Sequence, residues 1–251
     1  MTDYPLEGRK ILVAGGGKNL GGLISRQAAA AGADVAIHYN SESSKGEAEQ
    51  TLAAVEAEGR TGVLLTGDLT DPDTVTRVFD EAVAGLGGLD IAVNTVGKVL
   101  RKPIAETTES EYDQMFDVNA KSAYFFIKEA GRTLNDGGKI VTIVTALLAA
   151  FTEGYSTYAG GKSPVEHFTR AAAKEYAARG ISVTAIAPGP MDTPFFYGQE
   201  TPERVEFHKS QAMYGQLTKI EDIAPIVSFL ATDGWWITGQ TIFANGGYTT
   251  R

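Results

Sequence analysis

Short runs rich in β-branched residues recur along this chain, each separated from the next by an Ala- and charge-rich stretch of helical period. The runs are Lys10–Ala14, Asp34–Tyr39, Gly62–Thr66, Asp90–Asn94, Lys139–Thr145, Ser182–Ala187 and Gln240–Ala244. The helical stretches between them are Leu20–Ala31, Ser44–Glu58, Pro72–Gly85, Glu109–Leu134, Ser156–Arg179 and Glu221–Thr232. A run such as Ile140-Val-Thr-Ile-Val-Thr145 has no polar alternation and suits a strand buried on both faces. Strands and helices in strict alternation require right-handed crossovers, which make a parallel sheet with helices on both sides. The expectation is an α/β fold, a doubly wound parallel sheet of seven strands. No Pro/Ser-rich linker divides the 251 residues, so 1–251 reads as a single domain.

Composition narrows the partners. The formal net charge is −9, which disfavours nucleic acid and anionic membrane surfaces. Cysteine is absent, so there is neither a disulfide framework nor a thiolate metal site. The three histidines, His38, His167 and His208, have no metal-ligand spacing, so no metal is expected. Met1 to Gly8 lacks the basic-then-apolar build of a leader. No apolar run reaches the roughly 18 residues of a membrane span. The location expected on these grounds is cytoplasmic.

The first strand runs directly into Ala14-Gly-Gly-Gly-Lys-Asn-Leu-Gly21, after which a helix begins. A phosphate needs close backbone approach and a helix N-terminus aimed at it. Gly15 permits the tight turn and Gly21 the close contact. Asn19 tolerates positive φ better than any other non-glycine residue. This is the Rossmann-like arrangement for a dinucleotide. An NAD site usually places an acid at the end of strand two. Here that position falls near Tyr39, in Ile37-His-Tyr-Asn-Ser-Glu42. Lys18, Asn40 and Ser41 can instead serve a 2′-phosphate, with Lys45 nearby, while Glu42 and Glu47 oppose it. NADP(H) is therefore expected over NAD(H).

Tyr158-Ala-Gly-Gly-Lys162 sets a phenol and an ammonium four residues apart, on one face of a helix. A positive neighbour favours the phenolate and lowers the tyrosine pKa, so the pair is a candidate proton-transfer device.

With these motifs in order, the chain resembles the short-chain dehydrogenases/reductases of ordinary length, over about Gly8 to Gly247. Within them it is similar to the 3-oxoacyl-carrier-protein reductase-like carbonyl reductases. Ala14 to Gly21 resembles the family's glycine turn, and Asp68, with Leu69, its adenine-contacting Asp after strand three. Asn94-Thr-Val-Gly97 resembles its N-N-A-G, and Asn119 its catalytic Asn. Thr145 aligns with its catalytic Ser, and Tyr158 and Lys162 with its Tyr-x-x-x-Lys. Pro188, Gly189 and Thr193 resemble its P-G turn and following Thr. Thr238-Gly-Gln240 with Asn245-Gly-Gly247 resembles its closing segment. The resemblance implies hydride exchange between a nicotinamide cofactor and a carbonyl or alcohol. It implies that Tyr158 gives a proton to the carbonyl oxygen. Lys162 would lower that tyrosine's pKa and bond the nicotinamide ribose. Asn119 would hold a relay water, and Thr193 would contact the carboxamide. The cofactor set thus comprises Gly15, Lys18, Asn19, Leu20, Gly21, Tyr39, Asn40, Ser41, Asp68, Leu69, Asn94, Gly97, Tyr158, Lys162, Pro188, Gly189 and Thr193.

Three departures matter. Thr145 keeps a hydroxyl but adds a methyl and a stiffer χ1. Thr95 and Val96 replace Asn-Ala. Ala14 replaces a Thr whose hydroxyl usually ties the turn to a neighbouring strand. The expected function is NADPH-dependent reduction of a ketone or 3-oxoacyl group. One alternative is a catalytically silent NADP-binding sensor or partner subunit. Another is enoyl thioester reduction with Tyr155 and Lys162, which share a face at i, i+7. Residues 188–217 break the strand-helix rhythm with several prolines and aromatics after a strand's carboxyl end, and so read as a substrate lid. Resemblance implies a homotetramer, a dimer of dimers, built on Glu109–Leu134 and Ser156–Arg179.

Overall fold

The computed structural model describes residues 5–150 and 152–250. Residues 1–4 of the polar N-terminal stretch lie outside the described residues. The strands are β1 (Lys10–Ala14), β2 (Asp34–Tyr39), β3 (Gly62–Thr66), β4 (Ile91–Asn94), β5 (Lys139–Ile143), β6 (Ser182–Pro188) and β7 (Gln240–Ala244). They form one sheet of order β3-β2-β1-β4-β5-β6-β7. Every pairing is parallel. The order reverses between β1 and β4, which opens a crevice at their carboxyl ends, where Ala14 pairs with Asn94.

Side chains alternate across the sheet and divide the core in two. Ile11, Val13, Val35, Ile37, Val93 and Val141 pack beneath Leu20, Ile24 and Ala28 of α1 (Asn19–Ala30), Val55 of α2 (Lys45–Ala57) and a C-terminal helix (Ile220–Ala231). Leu12, Ala36, Ala92, Ile140 and Val183 face the other way. They meet Val78, Phe79 and Ala82 of α3 (Pro72–Leu86) and, from later helices, Phe126, Ala130 and Ala172. Each Val, Leu, Ile or Phe among them, fully buried, stabilises the fold by about 1.5–3 kcal/mol. Helix α3 shows why these stretches start and stop where they do. Asp71 caps its first turn by accepting from the Asp73 and Thr74 amides, Pro72 occupies the first turn, and Gly87 ends it at φ 72°.

Two expected long helices are interrupted. The stretch 109–134 comprises α4 (Glu109–Phe116), one wide π turn over Asp117–Lys121, and α5 (Ser122–Thr133). The π turn carries Asn119, whose carboxamide bonds the Lys98 backbone and thereby offsets the disturbed ladder. The stretch 156–179 divides into α6 (Ser156–Lys162) and α7 (Pro164–Glu175), where Pro164 lacks an N–H. Short helices α8 (Pro194–Tyr197) and α9 (Pro202–Ser210) follow β6, and α10 (Ile220–Ala231) precedes β7.

The turn after β1 lacks the expected Thr tie yet is held from two sides. The Ala14 carbonyl accepts from both the amide and the hydroxyl of Thr95, at 3.0 and 2.8 Å. The Gly15 amide donates to His38 Nδ1 at 3.3 Å, and His38 Nε2 donates to the Gly67 carbonyl at 2.9 Å. Thr95→Val removes one of these bonds and leaves the amide bond in place. Its expected cost is about 1 kcal/mol of stability, read by urea unfolding.

Candidate active site

The carboxyl ends of β1, β4, β5 and β6 border one cleft of about 580 Å³. Its dinucleotide half is lined by Gly15, Lys18, Asn19, Leu20, Gly21, Tyr39, Asn40, Asp68 and Leu69. The glycines are required by shape. A Cβ at Gly21 would lie 2.1 Å from the Gly15 carbonyl oxygen, and one at Gly15 would lie 2.6 Å from Thr95 Oγ1. Asn19 takes φ 47°, as its tolerance for positive φ anticipates. Backbone can thus approach a pyrophosphate at the start of α1 as no substituted turn could.

The strand-two end has no acid on the cleft. Tyr39 and Asn40 line it, and Ser44 stands there instead of Ser41. Ser41 is turned into the first turn of the next helix, with its hydroxyl 3.0 Å from that of Ser43. Lys18 pairs with Glu47 at 2.8 Å, both half-exposed, so a phosphate here would meet a lysine already balanced by a carboxylate. These residues fit a 2′-phosphate better than a free ribose diol, which wants an acceptor at that strand end.

The chemical half gathers Thr145, Tyr158, Lys162, Gly97, Pro188, Gly189 and Thr193. Thr145, just past β5, accepts from the Leu147 amide at 3.2 Å, so its own proton is free to donate. It faces the Tyr158 phenol, on the side where a donated proton would favour the phenolate. Burial pushes the Tyr158 pKa up to about 12, and the Thr145 hydroxyl opposes that rise. This reverses the direction expected from the Tyr/Lys spacing. Lys162 Nζ does not bond the phenol. It donates to the Val96 and Ile143 carbonyls, each at 3.0 Å, and burial lowers its pKa to about 8.

Two expected site residues act from behind the lining. Asn119 is buried, with Oδ1 accepting from the Lys98 amide at 3.1 Å and Nδ2 donating to the Lys98 and Met115 carbonyls. With both amide protons committed, its side chain fixes the Lys98–Val99 wall. Asn94 is likewise buried and accepts from the Val96 amide at 2.9 Å, shaping the turn after β4.

Sequence reasoning passed over His38, Gln199, Glu200, His208 and Tyr248. All but Glu200 line the cleft. A polar ring inside the apolar run Asp34–Tyr39 was the available signal for His38. Residues 199–208 and 248 come together only through the chain's return after β7.

The chain matches the adh_short_C2 family model, described as enoyl-(acyl carrier protein) reductase, over residues 15–249. It is 32% identical to an NADPH-dependent aldehyde reductase-like chloroplastic protein of Arabidopsis thaliana, covering 97% of this chain and 95% of that one. It is 34% identical to the hydroxynaphthalene reductase-like protein Arp2 of Metarhizium brunneum, covering 99% and 98%. A Burkholderia cenocepacia protein described as a dehydrogenase and solved with bound NADP superposes with TM-score 0.97 at 57% identity, covering 100% and 97%. The dinucleotide cleft on a seven-stranded Rossmann-type sheet already defines a nucleotide-dependent oxidoreductase architecture. The protein belongs to the short-chain dehydrogenase/reductase family.

Burial lowers the His38 pKa to about 4. The unfolded chain therefore takes up a proton below about pH 6.5 that the folded chain refuses until about pH 4. Stability from this group is present above pH 6.5 and is lost as pH falls through that window, by roughly 3 kcal/mol at most. Urea midpoints measured from pH 7 to pH 4 should fall less steeply in His38→Asn.

Proposed function

We propose that the protein is an NADPH-dependent reductase of a ketone or 3-oxoacyl group, with Tyr158 as proton donor. The observation that carries this reading is the Thr145–Tyr158 pair, two hydroxyls meeting at the inner end of a dinucleotide-shaped cleft. Bound NADPH supplies the hydride. Tyr158 Oη offers its proton to a substrate carbonyl oxygen, with the Thr145 hydroxyl beside it. A phenol with a pKa near 12 stays protonated at neutral pH and yields its proton only to a strong base such as a forming alkoxide. The residual phenolate accepts from Thr145, so the methyl added to the usual Ser leaves this role intact. Lys162, a buried ammonium on the same helix, lines the cleft and has a third donor beyond the two given to the Val96 and Ile143 carbonyls.

Cofactor choice rests on the donors Lys18, Asn40 and Ser44 and on the lack of an acid at the Tyr39 position. The relatives solved with NADP, or named for NADPH, agree with it. Residues 188–217 serve as the substrate lid. Met191, Phe195, Phe196, Gln199 and His208 bring them onto the cleft. A homotetramer in the cytoplasm completes the reading. The half-exposed Tyr124, in edge contact with Phe168, supplies part of an apolar face on α5 and α7 for a two-fold contact. Among the described residues, no helix is long and apolar enough to cross a membrane.

Enoyl reduction, which the family description names, would need Tyr155 for Lys162. The Tyr155 hydroxyl instead donates to Glu200. A silent binding subunit would have no use for a buried Tyr158 set beside the Thr145 hydroxyl.

NADPH oxidation measured with a panel of ketones and 3-oxoacyl thioesters tests the reading. Tyr158→Phe should lower kcat by ~10²–10⁴. NADPH affinity should change far less. Equal turnover by the variant would remove Tyr158 from the chemistry. Separately, Lys18→Ala should reduce the NADPH/NADH affinity ratio about tenfold, read by calorimetry.

A further inference from the structure

Beside the catalytic pair lies a buried polar relay that the proton-transfer chemistry does not use. At its centre is Glu200, between α8 and α9, with a side chain of 0% exposure. One carboxylate oxygen accepts from the Tyr155 hydroxyl and lies 3.2 Å from His208 Nε2. The other accepts from Arg204 Nε at 3.1 Å and faces Arg101 Nε at 3.8 Å. Glu153 lies 3.1 Å from Arg204 and 3.5 Å from Arg101. On the far side of the imidazole, His208 Nδ1 lies 2.9 Å from Tyr248 Oη, with the two rings stacked.

The direction of every bond in this relay follows from its centre. A carboxylate paired with guanidinium can only accept. His208 Nε2 must then carry the proton. Burial lowers the His208 pKa, so Nδ1 is an acceptor at neutral pH. Tyr248 Oη must therefore donate inward to Nδ1, as Tyr155 Oη donates inward to Glu200. Each phenol has one proton, and each has committed it away from the substrate. What remains on both oxygens is lone pairs. Tyr155 and Tyr248 both line the cleft, and the Tyr155 ring centroid lies 6.4 Å from that of Tyr158. The same cleft carries the apolar Val99, Leu147, Met191, Phe195 and Phe196, with Lys98, Gln114 and Gln199 among its polar members.

We propose that Tyr155 and Tyr248 form an acceptor-only subsite, so that the substrate is an apolar ketone bearing a hydroxyl remote from its reacting carbonyl. The assignment rests on the carbonyl-reductase reading for the word ketone and on the relay alone for the hydroxyl. A hydroxyl donates to such a subsite. A methyl ether leaves both phenol lone pairs unmatched, and a carboxylate finds no donor on either phenol. Glu200 and His208 are positioning residues in this scheme, since they act through the phenols.

The test is calorimetric, on the NADP⁺-loaded protein, with 1-naphthol and 2-naphthol against their methyl ethers and 2-naphthoate. The native protein should bind at least one naphthol about tenfold more tightly than its ether, with 2-naphthoate no tighter than the ether. In Tyr155→Phe/Tyr248→Phe the naphthol preference should fall to within about twofold. Should the double variant fail to fold, Tyr248→Phe carries the same comparison, with a loss of at least half the preference on a logarithmic scale. A relay that only latches the lid would weaken naphthol and ether alike and preserve their ratio. That result, equal affinity for naphthols and ethers in the native protein, or naphthoate bound as tightly as naphthol would each overturn the proposal. A parallel assay of NADPH oxidation with 1-tetralone and its ring-hydroxylated forms keeps the two claims apart. Absence of any ketone turnover sinks the reductase reading and leaves the binding ratio to decide the subsite.

Discussion

A single buried ammonium joins the parts of this site. Lys162 reaches from α6 to the Ile143 carbonyl at the end of β5 and to the Val96 carbonyl beyond β4. It fixes the helix that carries Tyr158 against two neighbouring strand ends. Burial costs the charge enough to bring its pKa down to about 8, and two carbonyls answer its donors. Space for it is made by Gly97, where a Cβ would lie 3.0 Å from Nζ. Without this contact the phenol would have no set distance from Thr145, and the cleft no fixed inner end.

The outer parts follow the same logic of substituted ties. Ala14 offers no hydroxyl, and Thr95 supplies one from the adjacent strand end to the same carbonyl. His38, neutral and buried, spans Gly15 and Gly67 and so joins the turn after β1 to the loop after β3. Residues that looked like departures from a familiar pattern therefore form a compensating set around one turn. Asn119 works similarly through the Lys98 backbone, which places the wall of the substrate half.

The sheet was legible because each strand is a short apolar run between helical periods, and four of the seven strands have the boundaries read from sequence. Thr145 lies beyond β5, since the strand ends where the chain turns into the site. The helices were legible in place but not in continuity. A π turn at Asp117–Lys121 is set by a tertiary bond from Asn119 to Lys98, and no local residue pattern announces it. The Tyr158 pKa shows a related limit. Spacing places Lys162 on the same face but says nothing of burial, and burial decides the direction of the shift. Ser41 and Ser44 illustrate the finest limit. Both are serines after β2, and only the turn geometry shows which one meets the cleft. The relay around Glu200 joins the approach to α6, the lid region and the segment after β7, so sequence separation concealed it.

The central claim is hydride delivery to a carbonyl carbon with Tyr158 as the acid. Deuterium transfer from 4-deuterated NADPH to an α,β-unsaturated aryl ketone, followed by NMR of the product, examines it most directly. Deuterium on the carbinol carbon of an allylic alcohol is the expected result. Deuterium on the β-carbon of a saturated ketone would contradict the account and give the chemistry to enoyl reduction.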